Sequence, residues 1–340
     1  MYFWGEFMKK GLFDLHASIL CAGSVVGCKE REGPLGNLFD MHDADDKFGQ
    51  KTWEKAESEM QRRALGVALA KWGRDGDSLD AILAGDLLNQ CIGSAYGLLD
   101  YGVPYFGLYG ACSTAALGLL LGSVLVSAGF VQYAAAVTSS HNSSAERQYR
   151  TPLEYGAQRT PTAQWTVTGS SAFILGSEEG KQCAQIVQAM PGIPLEMGIR
   201  DAANMGAAMA PAAVDTLERY LDASGTCPED FDAIVTGDLG WEGSAIFHDL
   251  LYADGIEVAP MHTDCGTMIY SRHVQDTHAG GSGCGCSGVV TAAYFLPKIA
   301  SGEIRDMLLI GTGAMMSPDA LKQGQSIPAI GHLIRIRKGD

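Results

Sequence analysis

"GACSTAALGLLLGSVLVSAGFVQYAAAVTSS", residues 110–140, carries no Asp, Glu, Lys or Arg, and the charge-free run extends over 101–145. Ala115–Val137 is long enough to span a bilayer, and Gly118 and Gly122 have the GxxxG spacing of membrane helix pairs. Yet Gly129, Phe130 and Tyr133 interrupt the run, and "YAAAVTSS" (133–140) reads as a short buried strand. A second copy of the pattern decides the matter. "GCGCSGVVTAAYFLPKIASGEIRDMLLIGTG" (283–313) also opens on a Gly/Cys/Ser turn, continues through an apolar helix and reaches a Gly-bounded turn and a strand. Two such helices in one chain are expected to pack on each other between sheets, and the transmembrane reading falls.

The repeat extends outward from there. "SLDAILAGDLL" (78–88) and "DFDAIVTGDLG" (230–240) align at an offset of 152 residues, with six identities in the eight positions from Asp80 to Leu87. Leu65, Leu69 and Gly73 pair with Leu217, Leu221 and Gly225 at the same offset. Each half therefore reads helix, Gly stop, short loop and a buried strand ending in Gly-Asp-Leu. Ala56, Met60, Ala64 and Val67 share one face of the first helix. Glu54 and Glu57 early, with Lys71 and Arg74 late, suit its dipole. The expected architecture is α/β and internally duplicated, with two buried central helices between mixed sheets and outer helices around them. Residues 1–178 and 179–340 form its halves, one integrated unit. The polar stretches 38–53 and 138–165 are long for loops, which points to function or disorder.

Composition narrows the function. A 340-residue chain with 46% hydrophobic residues buries a substantial core. A formal net charge of −15 argues against broad nucleic-acid binding and against direct docking on anionic lipid. A membrane role then needs a protein partner. Nine scattered cysteines form no compact framework, and "MYFWGEFMKKGLFDL" lacks the apolar core and cleavage site of a signal peptide. The expectation is a reducing, cytosol-like compartment.

Two halves with a Gly-Ala-Cys-Ser turn opening the first buried helix resemble the thiolase fold, which implies αβαβα layers. A narrower resemblance rests on several stretches in order. They are "VVGCKEREGPLGNLFD", "ILAGDLLNQ", "LYGACST", "TSSHNSSAERQYRTPLEYG", "MGAAMAPAAVDT", "IVTGDLG", "HTDCGTMIY" and "AGGSGCGCSGVVT". Together, from about Val25 to His332, they resemble the stage V sporulation protein AD family of spore-forming bacteria. That resemblance implies a thiolase-like protein that binds dipicolinate (pyridine-2,6-dicarboxylate), alone or as its calcium chelate. It also implies work with integral-membrane proteins of the sporulation V A group at the inner spore or forespore membrane, and uptake of dipicolinate into the developing spore. Thiolase-like folds also commonly dimerise through the strand leading into the nucleophile turn, here "PYFGLYG" (104–110), so a homodimer is expected.

Cys112 occupies the nucleophile position. A helix N-terminus lowers a thiol pKa, whereas free cysteine also serves as a small buried hydrophobe. The partners weigh against chemistry. Thiolases and ketoacyl synthases supply His, or His and Asn, from the C-terminal half. Here the chain reads Thr236-Gly237-Asp238-Leu239-Gly240-Trp241 after one strand and Gly281-Ser282-Gly283-Cys284 before the second buried helix. The thiolase histidine position falls at about Ser282 and the synthase asparagine at about Gly281. The loop "GTGAMMSP" (311–318) also lacks the second thiolase cysteine. Without a base or oxyanion partner a thiolate does not run Claisen condensation at useful rates. An acyltransferase using Cys112 with His141 or His278 stays open, as does a structural subunit with a closed cleft.

A dicarboxylate site needs paired donors around an apolar slot. Candidates are the turn N–H groups of Cys112, Ser113 and Thr114, the opposing turn at Ser282 and Gly283, and His141 and Asn142 at the end of a strand. Arg147, Arg150 and Arg159 are candidate clamps. Asp86, Asn89 and Gln90 are further candidates to face the pocket. The repeat relation of Asp86 and Asp238 favours a shared structural task. No organic cofactor is implied. His262, Cys265, Cys284 and Cys286 lack ordinary zinc spacing, no calcium loop is present, and "GGSGCGCSG" lacks the Lys-Ser/Thr of a phosphate loop.

Overall fold

In the computed structural model the described residues are 11–149, 159–178 and 184–339, without the side chain of Arg147. The first half contains β1 (Phe13–Val26), α1 (Trp53–Trp72), β2 (Ala81–Gly85), β3 (Tyr105–Gly107), α2 (Thr114–Ser127), β4 (Tyr133–Ser140), α3 (Asn142–Tyr149) and β5 (Gly169–Gly176). The second contains β6 (Ala184–Met190), α4 (Met205–Ser224), β7 (Ala233–Thr236), α5 (Gly240–Ala253), β8 (His262–Asp264), α6 (Cys284–Val290), β9 (Asp306–Ala314) and β10 (Ala329–Lys338).

The duplication shows in the pairing. Strand order is β3-β2-β4-β5-β1 in the first half and β8-β7-β9-β10-β6 in the second. In each, the pairs nearest the outer edge are parallel and the inner pairs antiparallel. The two half-sheets join along β1. The 14-residue β1 pairs with β5 along its later residues and with β6 along its earlier ones, so one continuous sheet runs through both halves. The expected boundary at 178/179 adjoins residues outside the described set.

Both outer helices are 20 residues long and begin and end 152 residues apart. Each has a side-chain N-cap, Thr52 accepting from Lys55 N–H and Asn204 from Ala207 N–H. Each stops at a left-handed glycine, Gly73 at φ 74° and Gly225 at φ 67°, the conformation a side chain disfavours. Ala56, Met60 and Ala64 are buried as their spacing predicts, whereas Val67 is only half-buried. Glu57, in the early part of the helix where its charge suits the dipole, is fully buried.

Helix α2 packs against strands of both half-sheets and against α6. Its small residues make that approach possible. A Cβ on Gly122 would meet Leu175 Cδ1 of β5 at 2.6 Å, and one on Gly118 would meet Ala136 Cβ of β4 at 3.4 Å. The GxxxG spacing therefore serves helix-on-sheet packing within this core. Leu119 and Leu120 are fully buried there, and each such side chain contributes about 1.5–3 kcal/mol. Among the described residues no helix is long and apolar enough to cross a membrane.

Candidate functional site

The turn into α2 sets the site. Ala111 takes a left-handed φ of 52°, a conformation L-residues adopt only under local compulsion. This bend carries Cys112 to the end of a cavity of about 520 Å³. Ser113 Oγ donates to the Gly110 carbonyl at 2.6 Å and Thr114 Oγ1 to the Ala111 carbonyl at 2.6 Å. The N–H groups of Ser113 and Thr114 likewise donate within the turn, to Gly110 and Ala111. The expected anion cradle is thus already closed at two of its three donors.

The second half brings Asp238 and Ser282 to Cys112. Asp238 follows β7 and is buried. Its carboxylate accepts from the Gly283 N–H at 2.9 Å and from Thr312 Oγ1 at 2.8 Å, while its carbonyl accepts from Gln164 Nε2 at 2.7 Å. Burial raises its pKa to about 6, against the lowering effect of these donors and of Cys112. Asp264, the last residue of β8, accepts the N–H groups of Leu239 and Gly240 at 2.8 and 3.0 Å and so fixes the turn that carries Asp238.

Helix position does not win at Cys112. Burial pushes the thiol well above its ordinary value, the facing Asp238 carboxylate pushes it further, and contacts from Gly283 N–H and Ser282 only partly offset this. The buried Cys112 is held as a neutral thiol at neutral pH.

Cys112, Ser282, Asn89 and Arg159 line the cavity together. Asn89 Oδ1 accepts from Gln148 Nε2 at 3.0 Å, and Tyr109 and Tyr149 join their hydroxyls at 3.0 Å beside it. Asp86, Ser113, His141, Asn142, Gln90 and Gly283 are not among the lining residues. Asp86 accepts from Ser94 N–H and Oγ at 2.7 and 2.6 Å and from Leu88 N–H at 2.8 Å, so it ties its own segment. Gly283 spends its N–H on Asp238. His141 lies in the interior: Nε2 donates to the Asp46 carbonyl at 2.8 Å and Nδ1 accepts from Ser143 N–H at 3.1 Å. Both ring nitrogens are engaged away from Cys112, and burial lowers the pKa. Asn142 N–H donates to Thr168 Oγ1 at 3.1 Å. His278 sits between the Thr160 carbonyl and Asp276, outside the lining. The Arg147 side chain and Arg150 lie outside the described residues.

Asp238 is a neighbour of Cys112 that the sequence expectations do not include. Its signal was present, because it occupies the segment after β7 where the fold delivers a proton-handling group. Tyr109, Tyr149, Met315 and Met316 also line the cavity; they lie within stretches quoted above, but nothing local marks them as wall residues. His262 bonds with Thr236 and His248, and Cys284 Sγ donates to the Ser139 carbonyl at 2.9 Å. Among the described residues no group of three or more His, Cys, Asp or Glu is arranged to hold a metal ion.

Comparison with known proteins agrees with this geometry. A family model described as "Stage V sporulation protein AD (SpoVAD)" matches residues 9–337. The stage V sporulation protein AD of Bacillus subtilis (strain 168) is 42% identical over 321 residues, covering 94% of this chain and 94% of that protein. An OleA variant of Xanthomonas campestris superposes with a TM-score of 0.60 at 14% identity, covering 96% of this chain and 99% of that one. The 3-oxoacyl-(acyl carrier protein) synthase III, FabH, of Pseudomonas aeruginosa PAO1 gives 0.57 at 17% identity over the same shares, 96% and 99%. At such identities these structures establish a thiolase-like fold and no activity.

Proposed function

Because the chain belongs to the stage V sporulation protein AD family, we propose that it is a non-enzymatic binding protein whose cavity receives dipicolinate. In this reading it supports dipicolinate uptake into the developing spore at the inner forespore membrane, reached through integral-membrane partners of the sporulation V A group. Calcium arrives, if at all, with the ligand as its chelate. The working unit is a homodimer built on the β3 edge.

One observation carries the reading. Cys112 is faced by Asp238 and Ser282, with its thiol pKa raised, where condensation needs an imidazole or amide to activate a thiolate and hold an oxyanion. The cavity is retained while the chemistry is not supported. An open cavity of about 520 Å³ supports a ligand-binding role over a structural subunit with a closed cleft. Asn89, Arg159 and Ser282 supply polar contacts on a mostly apolar wall that includes Leu87, Met205 and Met316, a composition suited to a planar ring bearing carboxylates.

Calorimetric titration with dipicolinate, with acetyl-CoA as the comparison, tests this. Saturable dipicolinate heat without acetyl-CoA heat is the expected result. Acylation of Cys112 by acetyl-CoA, without dipicolinate binding, overturns the proposal in favour of an acyltransferase.

A further inference from the structure

We infer that the cavity selects its ligand by charge state, seating one carboxylate on the free edge of Arg159 and admitting the second at the Cys112 end with uptake of one proton. The inference rests on the dicarboxylate reading above and specifies how the two ends of the same cavity differ.

The first end is a prepared cation. Arg159 Nη2 donates to the Asp276 carbonyl at 3.0 Å and to Asp276 Oδ2 at 2.6 Å. Its guanidinium lies over the Trp165 ring, 4.8 Å from the centroid, and Lys29 Nζ lies over the same ring at 4.2 Å. The Arg159 side chain is only 9% exposed. Its Nη1 is buried and has no hydrogen-bond partner. Leaving a guanidinium N–H desolvated and unsatisfied is unfavourable, and Arg159 lines the cavity. A ligand carboxylate supplies the missing acceptor, and the fixed plane of the fork orients it. Asp276 is largely exposed and shared with His278 Nε2 at 3.0 Å, so it holds Arg159 without filling the Nη1 side.

The Cys112 side of the cavity has the reverse character. Asp238 is faced by Cys112 and the Ser282–Gly283 turn, by Thr312 on β9 and by Asp264 at the end of β8. The buried thiols of Cys265, Cys284 and Cys286 also feel its charge. None of these groups is a cation. Among the described residues the remaining titratable groups on the cavity wall are Glu146, Tyr109 and Tyr149. A carboxylate brought to Cys112 and Ser282 therefore meets a buried carboxylate directly behind them, and two like charges in a water-poor end do not both persist. One proton relieves the repulsion, held on Asp238 or on the ligand. Burial has already brought Asp238 up to about 6, within reach of a modest further rise.

The experiment is calorimetric titration of the full chain with dipicolinate at about pH 7.5, in two buffers of different protonation enthalpy. The expected result is uptake of about one proton per ligand bound. Asp238→Asn is expected to bind with much smaller uptake, and Arg159→Gln to weaken binding by about tenfold or more. Dipicolinate binding by the parent protein without proton uptake overturns the inference whether or not the variants fold. Unchanged affinity in Arg159→Gln overturns the carboxylate seat. Absence of dipicolinate binding by equilibrium dialysis overturns the underlying reading itself.

Discussion

The Cys112 thiol and the Asp238 carboxylate face each other at the cavity wall, and each shifts the other's proton affinity. The carboxylate holds the proton on sulfur, opposite to what a nucleophile needs. Iodoacetamide at neutral pH is therefore expected to label the exposed Cys227 well ahead of Cys112, by about tenfold or more. Asp238→Asn removes the charge and is expected to raise the Cys112 rate. Peptide mass spectrometry over a time course measures both. Labelling of Cys112 as fast as Cys227 would return the site to nucleophilic chemistry.

How far the sequence reveals this site depends on whether the determining contacts are local. The 152-residue repeat locates α1 and α4, their glycine stops and the strands that follow, because capping and apolar spacing act within a few residues. Cys112 and Ser282 are legible because each opens a buried helix. Asp238 stands at the position where the thiolase resemblance implies a histidine or asparagine partner, and a carboxylate there does not match that pattern. Arg159 depends on Asp276, 117 residues away, and His141 on Asp46, 95 residues away. No periodicity encodes pairings of that span. The closure of the Ser113 and Thr114 N–H groups was likewise invisible, since it follows from the backbone bend at Ala111.

Glu57 makes a prediction about pH. It is fully buried and accepts from Ser139 Oγ at 2.9 Å and Ser144 Oγ at 2.6 Å. Burial first, then the neighbouring Asp86 carboxylate, raises its pKa from 4.5 to about 8. The folded chain thus keeps a proton that the unfolded chain releases above about 4.5. The Glu57 contribution is fully present below that pH, falls as pH rises toward about 8 and is flat beyond. Glu57→Gln keeps the shape and removes the titration. Near pH 9 the variant is expected to be more stable than the parent by about 1–3 kcal/mol. Denaturant unfolding at several pH values measures this, and parallel curves for the two proteins would contradict it.

Ala111 makes a prediction about strain. Its φ of 52° lies in the left-handed region, where an L-residue sits about 1–2 kcal/mol above its preferred state. Glycine occupies that region freely. Ala111→Gly is expected to stabilise the fold by about 0.5–1 kcal/mol, after the greater chain entropy of glycine is subtracted. Thermal unfolding reads the gain. A loss of stability would mean that the Ala111 methyl group packs more strongly than the strain it imposes.

The β3 edge links assembly to the cavity. Among the described residues strand β3 ends the sheet, pairing only with β2 through registers such as Leu83↔Phe106. Tyr105 and Phe106 remain 39% and 49% exposed, and Tyr109, two residues beyond the strand, is 53% exposed. An unpaired edge carrying aromatic side chains invites a partner strand. The homodimer proposed above covers it in the simplest way, a second β3 paired with the first. Phe106→Lys is expected to weaken that association by about tenfold or more, read by sedimentation as a shift from twice the chain mass to the chain mass. Tyr109 also forms part of the cavity wall, with its hydroxyl joined to that of Tyr149. Burying Tyr109 at the interface steadies this wall, so the monomeric variant is expected to bind dipicolinate less tightly while keeping its proton uptake. A parent protein that is monomeric at micromolar concentration would sever the link and leave the edge to a different partner.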